Sequence, residues 1–210
     1  MCPGGIKATI VEACIGEYDL SVKDGEQCYT TNTIIPHEGY RACQDSNWFR
    51  NDIAILKFNT PLNVPSNGNQ RAQGKTSFPS PPIALQDGAP LTITGWGTTD
   101  PNPSNPSPPV PNRLMGARLK YLSTDSCKKH WRSLGAGQIC GEGTVGHDSC
   151  RGDSGGPLVY KDGSVYRLIG LTSFGTPQCA SGTPAVYSSI HYFQNWIVNN
   201  AGPNGLNRVG

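Results

Sequence analysis

The chain has 210 residues and a formal net charge of +2, with 15% charged residues. This length fits one large domain or two small domains packed together. The near-neutral charge balance gives no electrostatic case for nucleic acid or an anionic membrane, and no apolar run approaches the ~18 residues of a membrane span. Glycine (26 residues) and proline (18 residues) are abundant, which favours a turn-rich β protein over a helical one.

Short apolar runs that end at turn residues predict eight β-strands. They lie near residues 9–15, 27–35, 53–58, 91–95, 113–122, 156–160, 165–173 and 185–188. The polar residues 66–82 predict a linker, and six prolines within residues 100–111 predict an exposed loop. Apolar residues at helical spacing then predict one closing helix, which Ser188 or Ser189 caps and Gly202 ends. The pattern as a whole predicts an all-β fold.

Eight cysteines, none of them in a Cys-x-x-Cys pair, favour disulfides over a zinc or redox site. Disulfides persist in oxidising compartments, so the chain is predicted to work outside the cell. Its first residues nevertheless form neither a charged nor an apolar leader region, and the sequence as given is predicted to lack a signal peptide.

The most informative segment is residues 148–157, which read Asp-Ser-Cys-Arg-Gly-Asp-Ser-Gly-Gly-Pro. Acyl transfer needs a nucleophilic hydroxyl beside backbone N–H groups that can hold an oxyanion. Glycines on both sides of Ser154 let the main chain bend tightly, and the amides of Gly152 and Ser154 are natural donors. The alternative is a glycine-rich turn that has a structural role and no catalytic one.

Two hydrolase folds use such a serine. An α/β-hydrolase esterase needs a helix directly after the nucleophile and a histidine last in chain order, yet Ser154 is followed by Gly-Gly-Pro, and only His191 comes later. The chymotrypsin-like order instead places an aspartate far upstream, where Asp52 precedes the apolar run 53–58. Asp52 alone would also suit a turn or a helix cap.

Taken together, residues 16–20, 51–58, 94–98, 148–158, 173–175 and 196–197 make the chain resemble the trypsin/chymotrypsin family of serine endopeptidases. The resemblance implies two six-stranded β-barrels, the first of them incomplete here, with the active site between them and a C-terminal α-helix. Residues 1–82 would form the incomplete first barrel and linker, and residues 83–210 the second barrel and helix, together one peptidase domain.

The resemblance also assigns catalytic roles. Ser154 matches the nucleophile, Asp52 matches the acid that orients the catalytic histidine, and Gly152 and Ser154 match the oxyanion donors. Asp153 matches the acid that pairs with a new N-terminal ammonium when a zymogen is cleaved.

Substrate binding is assigned in the same way. Asp148 matches the carboxylate at the base of the specificity pocket, which implies cleavage after Arg or Lys. Ser173, Phe174 and Gly175 match the segment that pairs with the substrate main chain. Ala185 stands where trypsin-like members mostly have a glycine in the pocket wall, and its methyl group could cost about 1–3 kcal/mol in binding a long cation.

The catalytic base has no match in the chain. Met1 stands where the family has the histidine of an Ala-Ala-His-Cys stretch, and the four histidines present are predicted to be solvated or structural: His37, His130, His147 and His191. The chain as written is therefore predicted not to cleave peptides. It is either a fragment of an active protease or a non-catalytic homologue that acts as a binding or cofactor protein.

By family resemblance, the expected partners are protein or peptide substrates with Arg or Lys and protein protease inhibitors, with neither nucleic acid nor membrane. No cofactor is required. The acidic residues Glu17, Asp19, Asp24 and Glu26 resemble the calcium loop of trypsins, and the alternative is a solvated acidic turn.

Two disulfides are implied by the resemblance, Cys127–Cys140 and Cys150–Cys179. Cys14 and Cys28 flank a hairpin-like stretch and are predicted to pair across it. Cys2 and Cys43 would then remain without a partner inside the chain.

Overall fold

The computed structural model describes residues 8–23, 25–41, 49–63 and 83–202. Strands dominate this part of the chain, in the order β1 (Val11–Ile15), β2 (Gln27–Thr31), β3 (Thr33–Pro36), β4 (Ala54–Lys57), β5 (Pro90–Gly95), β6 (Met115–Leu122), β7 (Gln138–Glu142), β8 (Pro157–Asp162), β9 (Val165–Phe174) and β10 (Ala185–Ser189). Two helices complete it, α1 (Thr124–Lys128) and α2 (Ile190–Ala201). The predicted all-β class with a C-terminal helix is confirmed.

The second half of the chain forms a closed six-stranded barrel in the order β10-β7-β6-β5-β8-β9, with every pair antiparallel. Closure leaves no free sheet edge, which removes the unpaired backbone groups of an open sheet. Alternate residues of the strands fill the interior, chiefly Leu91, Ile93, Leu119, Leu158 and Tyr187, each at most 5% exposed. The barrel is the rigid body on which the site is built.

In the first half, the described residues form two separate two-stranded sheets, β1-β2 and β3-β4, and a second barrel is not clearly shown. The single strand predicted over residues 27–35 is wrong, because the chain changes partner at Asn32. There, the Thr31 hydroxyl donates to the Lys57 carbonyl and accepts a 3.0 Å bond from the Thr33 amide. β2 therefore pairs with β1, whereas β3 pairs with β4.

Helix α2 joins the two halves. The Ser189 hydroxyl accepts a hydrogen bond from the Tyr192 amide at its start, and Gly202 with φ 81° ends it, as the sequence predicts. Its apolar face, Ile190, Phe193 and Ile197, packs on Ile53 of the first half. This packing fixes the segment that carries Asp52 against the second barrel. No helix among the described residues has the length and apolar character needed to cross a membrane.

Three disulfides are present among the described residues, Cys14–Cys28, Cys127–Cys140 and Cys150–Cys179. These are the three pairs that the sequence analysis names. Met1, Cys2, Asp24, Cys43 and the predicted linker 66–82 lie outside the described residues. The division of the chain at residue 82 stays a prediction.

Candidate active site

Ser154 lies at the tip of a tight turn that precedes strand β8. The Asp153 amide donates to the Cys150 carbonyl (3.0 Å), and the Gly156 amide donates to the Asp153 carbonyl (2.9 Å). Gly152 has φ +99°, a backbone conformation that L side chains rarely adopt, and a Cβ there would lie 3.2 Å from the Cα of Gly97. The turn therefore needs this glycine, and it presents an exposed serine hydroxyl.

The amides of Gly152 and Ser154 flank this hydroxyl. Within the described part of the chain, neither N–H has a hydrogen-bond acceptor. Unpaired amides beside an exposed hydroxyl can hold an anionic oxygen that develops on a bound substrate.

Asp52 follows Asn51, which has φ 53°, and enters strand β4 through Ile53. Its carboxylate accepts a 2.7 Å hydrogen bond from the Ser173 hydroxyl, and its backbone carbonyl accepts a 2.7 Å bond from the Ser188 hydroxyl. Burial raises the pKa of Asp52, and the Ser173 hydrogen bond opposes that rise. Asp52 is thus a half-buried carboxylate whose position is fixed by two hydroxyls of the second barrel.

Strand β9 connects the serine turn to this carboxylate. The Gly155 amide donates to the Thr172 carbonyl (2.8 Å), and the Thr172 amide donates to the Gly156 carbonyl (2.9 Å). Ser173, the next residue of β9, holds Asp52. The structure therefore brings the Ser154 turn and Asp52 to the same end of one strand, although they are far apart in the sequence.

The four histidines are all within the described residues, and none of their hydrogen bonds there reaches Asp52 or Ser154. The His37 ring stacks on Trp196 with ring centroids 5.0 Å apart, and its Nδ1 accepts a 3.0 Å bond from the Gly39 amide. His191 is an exposed residue in the first turn of α2, His130 is exposed after α1, and His147 closes a turn with Thr144. These contacts agree with the solvated and structural roles expected for them.

Asp148 and Asp153 line one cavity of about 180 Å³ inside the second half. Burial raises the pKa of Asp148 to about 6, against the opposing hydrogen bond of 2.7 Å from the Ser149 amide. Asp153 accepts bonds from the amides of Gly97 (2.8 Å) and Cys150 (2.9 Å). Two carboxylates in one cavity give it strong negative potential, which suits a cation.

The segment predicted to pair with substrate main chain does not line this cavity. Phe174 packs instead between Trp131 and Phe49, with ring centroids 5.2 and 5.5 Å away. Ala185 is buried in the barrel core, and a Cβ placed on Gly175 would lie 3.8 Å from its methyl carbon. Sequence reasoning did not identify Phe49, since no motif marks it, nor the Ser188 hydroxyl that holds Asp52.

The acidic residues predicted to form a calcium loop have individual contacts in the part of the chain that the structure describes. Asp19 accepts bonds from the Ser21 hydroxyl (2.5 Å) and from Arg113 Nε (3.1 Å), and these contacts lower its pKa. Glu17 accepts a 2.9 Å bond from the Tyr18 amide. Apart from Asp24, which is not described, Glu17, Asp19 and Glu26 form no common cluster of ligand atoms. The calcium site therefore stays a prediction, since one of its four residues, Asp24, lies outside the described residues.

Comparisons with known proteins agree with this geometry. The Trypsin family profile matches residues 2–197. Trypsin-1 of Astacus astacus is 34% identical over 194 residues, which cover 89% of this chain and 73% of the relative. CLIP domain-containing serine protease B14 of Anopheles gambiae is 28% identical over 207 residues, which cover 91% of this chain and only 50% of the relative.

Among solved structures, neuropsin, a serine protease of mouse brain, superposes with a TM-score of 0.74 at 26% identity, covering 93% of this chain and 81% of that one. A closed barrel, a serine on a glycine turn and a carboxylate at the same strand end define a serine protease of the chymotrypsin-like class. The chain belongs to the Trypsin family.

Proposed function

We propose that the chain is a trypsin-like peptidase domain whose nucleophile is Ser154 and which lacks its own general base. The observation that carries the proposal is the Ser154 hydroxyl beside two amides that have no acceptor among the described residues, joined through β9 to Asp52. In acyl transfer, Ser154 Oγ attacks the scissile carbonyl carbon while a base takes its proton. The amides of Gly152 and Ser154 then stabilise the oxygen that becomes negative.

Asp52 would orient the imidazole that serves as this base. A carboxylate beside a histidine fixes the ring's tautomer and stabilises the imidazolium that forms. None of the four histidines has a hydrogen bond to Asp52 or Ser154 among the described residues, so the base that Asp52 would orient is an imidazole that this chain does not place there. Loss of the base is expected to lower turnover about a million-fold.

We further propose that substrates are proteins or peptides cleaved after Arg or Lys, with Asp148 as the selecting carboxylate. Its partial burial supports this role, because a desolvated carboxylate favours a cationic side chain and disfavours an apolar one. Asp153 would pair with an N-terminal ammonium in the same cavity. Three disulfides support an extracellular, oxidising location, where protein protease inhibitors would be natural partners.

A fluorogenic Arg-amide substrate tests the proposal, with and without added imidazole as a substitute base. We expect no Ser154-dependent turnover without imidazole and measurable turnover with it, abolished by Ser154→Ala but not by the exposed control Ser164→Ala. A Phe-amide substrate should react more slowly than the Arg-amide, and Asp148→Ser should remove that difference. Turnover that survives Ser154→Ala would refute the assignment of the nucleophile.

The second candidate is a non-catalytic homologue that binds partners through the same cleft. The absence of any histidine bonded to Asp52 or Ser154 among the described residues favours it. The two candidates differ in one outcome: a binding protein would show no hydrolysis even when imidazole is supplied, while still retaining peptides that carry Arg or Lys.

A further inference from the structure

Residues 100–111 form a proline-rich loop that folds through its own side chains. Asp100 Oδ1 accepts a 2.9 Å bond from the Asn102 amide, and Asn105 Nδ2 donates to Asp100 Oδ2 at 2.6 Å. Asn105 Oδ1 in turn accepts a 3.0 Å bond from the Ser107 amide. Because six of its residues are prolines, which have no N–H group, the main chain of the loop offers more hydrogen-bond acceptors than donors.

Arg151 supplies donors to these carbonyls. Its Nη2 donates to the carbonyl of Asn102 at 2.7 Å and reaches that of Asp100 at 3.5 Å, while Nη1 donates to the carbonyl of Pro103 at 3.3 Å. A planar guanidinium can serve several carbonyls at once, which a single ammonium cannot. The Arg151 side chain therefore ties the loop to the main chain just before Gly152.

The main chain of Arg151 is held as well, by a hydrogen bond from Thr98 to its carbonyl group. Its carbonyl accepts a 2.8 Å hydrogen bond from the amide of Thr98, which is only 5% exposed. Thr98 is itself tied to the loop, since its hydroxyl donates to the Pro109 carbonyl at 3.0 Å and accepts from the Asp100 amide at 3.1 Å. The loop, Thr98 and Arg151 thus form one connected unit, named here the Arg151 latch.

The geometry of the peptide group links this latch to the candidate oxyanion site. In a planar trans peptide, the carbonyl oxygen and the following N–H point in opposite directions. Fixing the Arg151 carbonyl on Thr98 therefore fixes the Gly152 N–H on the opposite side, where it has no acceptor among the described residues. Gly152 has no side chain to resist rotation of this peptide, so the restraint has to come from its neighbours.

We propose that Arg151 is a positioning residue, which latches the proline-rich loop onto the serine turn and so holds the Gly152 N–H in the orientation of an oxyanion donor. The catalytic meaning of this orientation rests on the proposed function, whereas the latch itself is a property of the fold. Loss of the guanidinium is expected to free the loop and to let the Arg151–Gly152 peptide rotate.

Amide hydrogen exchange and ¹⁵N–¹H NMR test the latch without any need for activity. In Arg151→Ala we expect the Thr98 amide to exchange about tenfold faster or more, and the Gly152 amide signal to shift. Arg151→Lys, which keeps one donor group, should restore part of the Thr98 protection. Arg118→Ala is the matched control, because Arg118 is an exposed residue of β6 with no side-chain hydrogen bond among the described residues.

Unchanged Thr98 exchange and an unchanged Gly152 signal in Arg151→Ala would overturn the proposal, as would equal changes in Arg118→Ala. The proposal would also be overturned if Arg151→Ala and Arg151→Lys lowered the melting temperature alike and had the same Thr98 exchange rate. That result would show a purely structural role for Arg151. Failure of the proposed function would appear separately, as absent Ser154-dependent hydrolysis in the presence of imidazole, and would leave these exchange results as they are.

Discussion

The Ser173 hydroxyl donates a 2.7 Å hydrogen bond to the Asp52 carboxylate across 121 residues of sequence. This bond joins the end of barrel strand β9 to the segment that enters β4 in the first half. Through β9, this contact places the half-buried carboxylate of Asp52 at the same strand end as the serine turn. A charged carboxylate that is partly removed from water needs such a donor to remain ionised.

Removal of this donor should change how Asp52 titrates. In Ser173→Ala we expect the pKa of Asp52 to rise further, since burial already raises it and the Ser173 hydrogen bond opposes the rise. The free energy of unfolding at neutral pH should fall by about 1–3 kcal/mol, the cost of an unpaired half-buried acceptor. Carboxyl ¹³C NMR titration of Asp52 measures the first effect, with Ser164→Ala as the control. A lower Asp52 pKa in Ser173→Ala would contradict this account.

Asp148 should make stability depend on pH. Its folded-state pKa of about 6 lies above the ordinary value of 3.8, so the native state holds the proton more tightly than the unfolded state. The contribution of Asp148 to stability is therefore most favourable below about pH 4 and is lost as pH rises to about 6. Above pH 6 the charged form costs up to about 3 kcal/mol.

The variant Asp148→Asn should accordingly raise the free energy of unfolding at pH 8 and change it little at pH 4. Urea unfolding at the two pH values measures this difference, and Glu12→Gln on the exposed side of β1 is the matched control. Destabilisation by Asp148→Asn that is larger at pH 8 than at pH 4 would show that the charged form is favoured in the native state instead.

Gly97 should not tolerate a side chain. A Cβ at this position would lie 2.4 Å from the Asp153 carboxyl carbon, and Asp153 is held by the amides of Gly97 and Cys150. We expect Gly97→Ala to lower the free energy of unfolding by about 1–3 kcal/mol because the carboxylate has to move. In Gly116→Ala the nearest atom, the Ile93 carbonyl oxygen, would lie 3.4 Å away, so this variant is the control. Equal melting temperatures for both variants would contradict the prediction.

His37 should act as a packing residue and not as the base. Its ring lies against Trp196 (5.0 Å) and Phe193 (5.4 Å) of helix α2. His37→Ala should therefore lower the free energy of unfolding by about 2 kcal/mol, measured by thermal or urea unfolding, whereas His130→Ala at an exposed position should not. Ser154-dependent turnover, restored by imidazole, should remain in folded His37→Ala. Loss of that turnover without loss of stability would make His37 part of the catalytic apparatus.

The sequence by itself was sufficient to predict most strands of the second barrel and helix α2. Short apolar runs between turn signals predicted five of the six barrel strands to within a few residues of their bounds, because local pattern and burial agree there. Strand β7 (Gln138–Glu142) was missed, since two of its five residues are buried Cys140 and Gly141, which carry little of the strand pattern. Ser189 and Gly202 marked the ends of α2 because capping is a local property.

Motifs in the sequence also pointed to Ser154 and Asp52. The family resemblance implied two of the three cysteine pairs, and the hairpin-like stretch between Cys14 and Cys28 predicted the third. Only the tertiary structure decided which groups meet. It paired Asp52 with Ser173 and Ser188, placed Asp148 in one cavity with Asp153, and bound Asp19 to Arg113. It also tied Arg151 to the proline-rich loop. Such contacts depend on how closed sheets and loops pack across long sequence separations, which no local pattern of residues encodes.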